Sequence, residues 1–263
     1  MKQTWKVVGL VMGVLGSAAT AGAYEVAAVT SGGGISGKIL FKGTPPEVKE
    51  FKVEKTPEVC GEARRHLIEV AVNSGHLKGA VITLEGIEKG KPYAAQSWKG
   101  DPPGEGTFTV QAGNEFSGIE LSPKKCNFGP VVGVVQKGKK LNFVNRDSVK
   151  HSPHTYEVKG RVRKTIHNTD LEGDGKLELI AELGKSRVMK LECDQHNFMQ
   201  NMFYAVENPY YAISAEDGSF TIDQVPPGSY KLVAWHPVLG LKEQDVTVTA
   251  GGKGDVNFEF AAE

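Results

Sequence analysis

Apolar and polar residues alternate along most of the chain in short runs and rarely follow helical spacing. The runs are rich in Val, Ile, Phe and Tyr and end at Gly, Pro, Asn or Asp, which is typical of β-strands joined by turns. Examples are ISGKILFKG, LKGAVITLEG, PVVGVVQKGKKLNFVNRD, SRVMKLECD, MFYAVENPYYAIS, GSFTIDQVPPGSYKLVAW and QDVTVTAGGKGDVNFEF. The pattern predicts an all-β protein of the sandwich type. Residues 91–118 are rich in Gly, Pro and polar residues, so they are predicted to form a surface loop.

The first 23 residues have the layout of a secretory signal peptide. Lys2 and Lys6 precede an apolar stretch from Val7 to Leu15, and a run of small residues ending at Ala23 follows. The apolar stretch is shorter than the roughly 20 residues that cross a bilayer, and no later apolar run reaches that length. We therefore expect cleavage after Ala23 and an exported protein, periplasmic or otherwise outside the cytoplasm, with no membrane span.

Charge and motifs exclude two classes of function. The chain has 31 basic and 31 acidic residues, and loss of the two leader lysines leaves the acids in slight excess. Nucleic acid is therefore a poor partner, because no basic excess exists to neutralise phosphates. The sequence also has no G-x-S-x-G elbow and no H-E-x-x-H helix. We expect a protein that is not an enzyme.

Three cysteines in an exported protein are an odd count, which suggests one disulfide and one thiol with another task. Cys60 and Cys126 lie in turn-rich surroundings, TPEVCGEA and SPKKCNFGP, without other ligand-type residues at close spacing. We expect these two cysteines to pair. Cys193 then stays free, and coordination to a metal would protect its thiol from oxidation.

The free thiol belongs to the segment CDQHNFM, residues 193–199, which places a thiol, an imidazole and a thioether at three-residue intervals. The segment lies between two strand-like runs, so we predict a loop that is fixed at both ends. Two imidazoles, one thiolate and a weak axial thioether form the donor set of a type 1 copper site. Cys193, His196 and Met199 can supply three of these donors, whereas Met202 would require a longer loop.

The second imidazole is expected upstream, after a strand, and the segment LNFVNRDSVKHSPHTYEV offers two histidines. His151 and His154 are three residues apart, so on an extended strand their side chains point to opposite faces and only one reaches a metal. We favour His151 and keep His154 as the alternative ligand. His236, in the segment AWHP, is interpreted as a packed or hydrogen-bonded residue.

The C-x2-H-x2-M loop, together with a histidine six residues after Asn145, resembles the cupredoxin family over about residues 121–206. The resemblance implies a Greek-key β-sandwich that holds one type 1 copper, with His196 as the ligand nearest solvent. The copper ligands that it implies are His151, Cys193, His196 and Met199.

Cupredoxins usually carry Asn directly after the upstream histidine, where its side chain ties the two ligand loops together. In this chain Ser152 takes that place, and Pro153 follows without a backbone N–H to donate. We expect Ser152 to substitute through its hydroxyl and Asn145 to support the same loop.

A second resemblance lies downstream, where DGSFTIDQVPPGSYKLVAWHP is similar to the carboxypeptidase regulatory-like, or transthyretin-like, β-sandwich module. The succession from CDQHNFM to AWHP resembles a group of exported cupredoxin-like proteins, some of which are labelled methylamine-utilisation proteins. Together these features predict a signal peptide at 1–23, an N-terminal β region at 24–120 packing on the sandwich, a copper domain at 121–206 and a small C-terminal β-module at 207–263.

The resemblance implies an exported blue copper protein that transfers single electrons to or from a redox protein such as a c-type cytochrome. An apolar patch around the ligand loop, including Phe198 and Pro153, is the expected docking site. The alternative is a non-redox protein, either a copper carrier or a cell-surface β-sandwich binding protein. The two classes differ because electron transfer needs copper that stays bound in both oxidation states, whereas a carrier releases its metal.

Overall fold

The computed structural model describes residues 24–61, 64–93, 96–99, 107–110, 119–122, 126–128 and 131–262. The predicted signal peptide, residues 1–23, lies outside these ranges. Within them the chain forms 24 strands and one short helix, which confirms the prediction of an all-β protein. No helix in the described ranges is long and apolar enough to cross a membrane.

The elements follow one another in short segments joined by turns. Those of the first half are β1 Glu25–Val26, β2 Gly33–Lys42, β3 Lys49–Phe51, α1 Pro57–Cys60, β4 Arg65–Leu67, β5 Ala71–Asn73, β6 His76–Lys78, β7 Val81–Glu85, β8 Lys89–Gly90, β9 Gln96–Lys99, β10 Thr107–Val110 and β11 Ile119–Ser122. Those of the second half are β12 Val132–Val135, β13 Lys140–Val144, β14 Pro153–Lys159, β15 Val162–Asn168, β16 Lys176–Ile180, β17 Val188–Cys193, β18 Gln200–Ala205, β19 Tyr211–Ile213, β20 Ser219–Val225, β21 Gly228–His236, β22 Gly240–Val248, β23 Lys253–Asp255 and β24 Phe258–Ala261.

Two five-stranded sheets form the first sandwich, in the orders β16-β13-β11-β10-β9 and β12-β18-β17-β14-β15. Side chains from both sheets meet in one core, among them Leu141 and Phe143 from the first and Met189 and Leu191 from the second. Along β17 every second residue is buried, so Met189, Leu191 and Cys193 share the inner face. This alternation directs the Cys193 side chain into the sandwich.

Two of these strands lie in the segment that was predicted to be a loop, residues 91–118. Strands β9 and β10 pair antiparallel with each other, and β10 also pairs with β11. The loop prediction is wrong for β9 and β10, because pairing across a sheet overrides the turn-favouring composition of the segment.

The second sandwich is built from both ends of the described chain. Its sheets have the orders β19-β7-β21-β22 and β20-β2-β6-β5, and β23 and β24 also pair with β2. Ile39, Ile82, Phe220 and Leu232 from four of these strands share one core. The strands within residues 207–263 therefore complete their sheets with strands from the N-terminal region, which gives them more apolar surface to bury than a module of their own length would have.

Strand β7 contributes to the cores of both sandwiches. Ile82 and Leu84 belong to the core of the second sandwich, whereas Val81 belongs to the core of the first. Strand β21 is placed similarly, because its Trp235 side chain lies in the first core with a ring centroid 5.0 Å from that of Tyr204. Strands β7 and β21 therefore connect the cores of the two sandwiches.

Candidate metal centre

Three buried donor atoms meet at one end of the first sandwich. The Sγ atom of Cys193 lies 3.9 Å from Nδ1 of His151 and 3.7 Å from Nδ1 of His196, and the two Nδ1 atoms are 3.2 Å apart. Zinc, which is close in size to the expected copper, binds nitrogen at about 2.0 Å and sulfur at about 2.3 Å, so two donors on one such ion lie roughly 3 to 4 Å apart. The arrangement of these three atoms fits one metal ion held by two nitrogens and one sulfur.

Backbone hydrogen bonds close the loop that carries two of these donors. The N–H of His196 donates to the carbonyl of Cys193 over 3.3 Å, and the N–H of Met199 donates to the carbonyl of His196 over 3.0 Å. The N–H of Cys193 in turn donates to the carbonyl of Met199 over 3.2 Å. Met199 is 1 % exposed and belongs to the same core cluster as Cys193. The loop is thus a closed turn with its sulfur residues buried in the sandwich.

His151 is held by a buried carboxylate. Its backbone forms an isolated bridge with Leu171, and its Nε2 atom lies 2.8 Å from Oδ2 of Asp147. A carboxylate at Nε2 fixes the tautomer that leaves the lone pair on Nδ1 free for a metal. Burial lowers the pKa of His151, but hydrogen bonds with Asp147 and Cys193 outweigh burial and raise that pKa overall.

The surroundings of Cys193 favour ionisation of its thiol. Burial raises its pKa, but hydrogen bonds from His151, His196 and the backbone N–H groups of Ser152 and Gln195 lower the pKa to about 6. The N–H of Ser152 lies 3.3 Å from the sulfur. Because metals bind the thiolate, Cys193 is a competent ligand at neutral pH.

Ser152 lies between the two loops that carry the donors. Its hydroxyl donates to Oδ1 of Asp170 over 2.7 Å and accepts a hydrogen bond from Nε2 of Gln195 over 3.2 Å. Its carbonyl accepts the N–H of Asp194 over 3.1 Å. Ser152 therefore connects the His151 segment to the loop at 193–199 through both its hydroxyl and its backbone.

Asn145 braces the turn that leads to His151. Its side-chain amide donates to the carbonyl of Val149 over 2.8 Å and to the carbonyl of Glu172 over 2.9 Å, while its oxygen accepts the N–H of Asp147 over 3.0 Å. The residue is 2 % exposed. Asn145 thus fixes the carboxylate of Asp147 in position to meet His151.

The disulfide predicted from the sequence joins Cys60 to Cys126, and it lies against His196. The Nε2 atom of His196 is 3.4 Å from Sγ of Cys60 and 2.9 Å from Oγ1 of Thr56. Only 3 % of His196 is exposed. None of the other three expected ligands is more exposed than His196, but the segment that contains α1, held down by the disulfide, covers its ring.

Phe198 and Pro153, the residues expected in an apolar docking patch around the ligand loop, do not lie on the surface. Phe198 is 9 % exposed and belongs to the core, and Pro153 is buried at the start of β14. The guanidinium of Arg65 lies 5.0 Å from the centroid of the Phe198 ring and covers it. The expectation is wrong because this part of the loop packs beneath residues from the N-terminal region.

The remaining sequence candidates lie away from the three donors. His154 points to the outer face of β14, where its Nδ1 atom is 3.0 Å from Oδ1 of Asp194. Met202 lies on β18 and is half-buried. His236 is buried, accepts the N–H of Val238 at Nδ1, and has its pKa lowered to about 4 by burial.

Three residues near the donors were not predicted from the sequence. Asp147 precedes His151 by four residues, and this short spacing is a signal that could have identified it. Thr56 contacts His196, which is 140 residues away in the sequence, so no local sequence pattern predicts this contact. Arg65 donates to the carbonyls of both disulfide cysteines over 3.0 and 3.3 Å; burial lowers its pKa, and the charge of Asp147 partly offsets that effect.

Comparisons with known proteins give partial matches. The family model described as polysaccharide lyase family 4, domain II, matches residues 179–256. Among solved structures, a reduced Cu(I) form of an amicyanin mutant at pH 4 is 16% identical, covers 33% of this chain and 80% of its own, and has a TM-score of 0.27. A novel purple cupredoxin from Nitrosopumilus maritimus is 18% identical, covers 34% of this chain and 99% of its own, and also has a TM-score of 0.27. No curated protein sequence matches the chain.

Proposed function

We propose that the protein is an exported type 1 copper protein that transfers single electrons. The observation that carries the proposal is the convergence of the Cys193 thiol with Nδ1 of His151 and Nδ1 of His196. These are the nitrogen and sulfur donors of a type 1 site, and Met199, buried at the end of the same loop, would supply its weak thioether ligand. The resemblance of the sequence motifs to cupredoxins supports the same assignment.

The protein's own residues would keep the donors in place during electron transfer. Copper, when bound, would supply a one-electron couple between its cuprous and cupric states. Ser152 ties the two loops together, Asp147 orients His151, and the disulfide holds α1 over His196. These contacts limit the rearrangement of the donors, which would keep the reorganisation cost of each electron transfer small.

Burial of the donors argues against the alternative function of a copper carrier. His151 is 0 % exposed, and Cys193 and His196 are each 3 % exposed. A carrier must let a competing ligand reach its metal, whereas each of these side chains is covered by protein. The site therefore favours retention of the metal over delivery.

The same features support a proposal for the compartment and the partner. A disulfide persists in an oxidising compartment, and the predicted leader directs the chain to the periplasm or another exported location. An exported one-electron carrier requires a soluble or membrane-bound redox partner. A c-type cytochrome is suited to this role. Short-lived complexes of this kind need only small interfaces.

Visible absorption and EPR of residues 24–263 loaded with copper(II) test the proposed function. We expect an intense thiolate-to-copper band with narrow copper hyperfine splitting, which Cys193→Ser abolishes. His151→Ala should also abolish the band, whereas His154→Ala, a matched change three residues away, should leave it intact. Reversible one-electron reduction without loss of copper should accompany the band.

Two outcomes would contradict the proposed function. A colourless copper complex, or a band that survives Cys193→Ser, would show that the thiolate does not bind copper. If a competing chelator removed the metal once the copper was reduced, the carrier function would be favoured.

A further inference from the structure

A chain of contacts leads from Cys193 to the outer face of the sheet that contains β14 and β17. Asp194 follows Cys193 directly, and its carboxylate lies 3.0 Å from Nδ1 of His154. The ring of His154 stacks on that of Tyr156 with centroids 4.0 Å apart. Both side chains are more exposed than Cys193, since Asp194 is 41% exposed and His154 is 13% exposed, whereas Cys193 is 3% exposed. The path reaches solvent, whereas the ring of His196 is covered.

The path ends beside a groove on the same face, here called the basic groove. Its cavity volume is about 380 Å³, and its lining includes Leu67, Val131, Met202, Arg161, Arg163 and Lys190. Arg163 connects the path to the groove, because its guanidinium lies over the Tyr156 ring at 6.0 Å from the centroid. A molecule seated in the groove would therefore lie next to the stacked pair of His154 and Tyr156.

Apolar side chains form the centre of the basic groove. They are Leu67, Val131, Val158, Met202 and Val238, and Val238 is one of six large hydrophobic residues that are exposed in the described ranges. An exposed apolar area bordered by polar residues is typical of a protein interaction site.

The charges of the basic groove define the kind of partner. Its lining carries three cations, Arg161, Arg163 and Lys190, and one acid, Glu69, whose carboxylate already pairs with Lys49. A further acid nearby, Glu192, is shared between Arg163 and Lys190. Among the residues that the structure describes, Arg161 forms no ion pair. The groove thus presents uncompensated positive charge around an apolar centre.

We propose that the basic groove docks an acidic redox protein, and that His154 and Tyr156 carry the electron between this partner and Cys193. The electron step rests on the proposed function: the reduced partner loses one electron, the oxidised centre gains it, and no bond or proton is transferred. Docking depends only on charge and apolar contact, so it does not require the metal. Complementary charge raises the rate of encounter, and apolar contact holds the complex.

Binding tests the docking surface without relying on copper. Fluorescein-labelled oligoglutamate is titrated against residues 24–263, with and without copper, and anisotropy is followed at low salt. We expect the double variant Arg161→Glu/Arg163→Glu to bind at least about fivefold more weakly than the wild type, because steering forces are strong in charged clefts. The matched control is Lys42→Glu/Lys253→Glu, which makes the same charge change at exposed positions of the second sandwich and should retain most of the affinity.

Electron transfer tests the path through the stacked pair. The copper(II) protein is reduced by hexacyanoferrate(II), an anion, and by hexaammineruthenium(II), a cation, in a stopped-flow instrument. At low salt, we expect Arg161→Glu/Arg163→Glu to slow reduction by the anion and to accelerate reduction by the cation, each by about fivefold. Both changes should shrink as salt is added. Tyr156→Leu should slow reduction by the anion while the absorption spectrum and the reduction potential stay unchanged. Tyr230→Leu, in the second sandwich, should leave that rate unchanged.

The outcomes separate this inference from the proposed function. Equal losses in the double variant and its charge-matched control would overturn the docking surface, even with a blue copper centre present. An unchanged rate in Tyr156→Leu would overturn the electron path. Specific binding by a protein that gives no thiolate-to-copper band would overturn the proposed function and leave the docking surface standing.

Discussion

The Nε2 atom of His151 lies 2.8 Å from Oδ2 of Asp147, and both side chains are buried. The same carboxylate oxygen accepts the backbone N–H of Cys126, a disulfide cysteine, over 2.9 Å. One acidic side chain therefore connects a proposed copper ligand to the disulfide that covers the other proposed imidazole ligand. The carboxylate can orient His151 only while the disulfide and the turn braced by Asn145 keep it in place.

Asp147→Asn should weaken copper binding by about 10- to 100-fold, because the amide cannot polarise the imidazole as a carboxylate does. Competition with a copper chelator of known affinity measures the change. Asp245→Asn, on the exposed strand β22, removes one negative charge far from the site and serves as the control. Equal affinities for Asp147→Asn and the wild type would show that the carboxylate does not support a ligand.

The Cys193 thiol should titrate with a midpoint near pH 6 in the metal-free protein. Above that pH the thiolate is available, so its contribution to metal affinity is constant; below it, protons compete and affinity falls as the pH decreases. The ultraviolet thiolate absorption, taken as the difference between wild type and Cys193→Ser, measures the midpoint. A midpoint above pH 8 would contradict the hydrogen bonds from His151 and His196.

His236 should make the free energy of unfolding depend on pH in acid. Its pKa is about 4 in the folded protein and 6.5 in the unfolded chain. The unfolded state therefore binds the proton more readily, so stability is fully present above pH 6.5 and is lost as the pH falls toward 4, by about 3 kcal/mol. Urea unfolding across this pH range should show this loss of stability in the wild type. His236→Gln should reduce the loss, and the control His66→Gln, at an exposed position, should leave it unchanged.

Removal of the disulfide should lower the free energy of unfolding by about 4 kcal/mol, because the cross-link closes a loop across a sequence separation of 66 residues. Urea unfolding of Cys60→Ser/Cys126→Ser, compared with oxidised wild type, measures the loss. Wild type in the presence of a thiol reductant should approach the variant, and the reductant should leave the variant itself unchanged. A variant as stable as oxidised wild type would contradict the proposed constraint on α1.

Several features of the site could be predicted because they depend on local sequence. The period-two alternation of SRVMKLEC places Cys193 on the inner face with Met189 and Leu191. The three-residue spacing of His151 and His154 predicts opposite faces, and His151 lies beside the sulfur whereas His154 lies on the outer face. The odd cysteine count, together with the lack of ligand-type residues close to Cys60 and Cys126, predicted the pairing of these two cysteines.

Other features depended on contacts between distant segments. Thr56 and Cys60 cover His196 across 140 and 136 residues of chain, respectively, and no local pattern contains that information. The pairing of β2 with β20 and β24 likewise joins opposite ends of the chain. Strands β9 and β10 were missed because sheet pairing, rather than composition, sets their conformation.

The sequence by itself determined the all-β class, the disulfide partners and the spacing of the CDQHNFM loop, because alternation, cysteine count and short motifs act over a few residues. Only the tertiary structure decided that His196 is buried and that Asp147 holds His151. It also decided that Tyr156 lies on the outer face of its sheet, beside the basic groove. Burial depends on which distant segments pack against a side chain, and the global fold sets that packing.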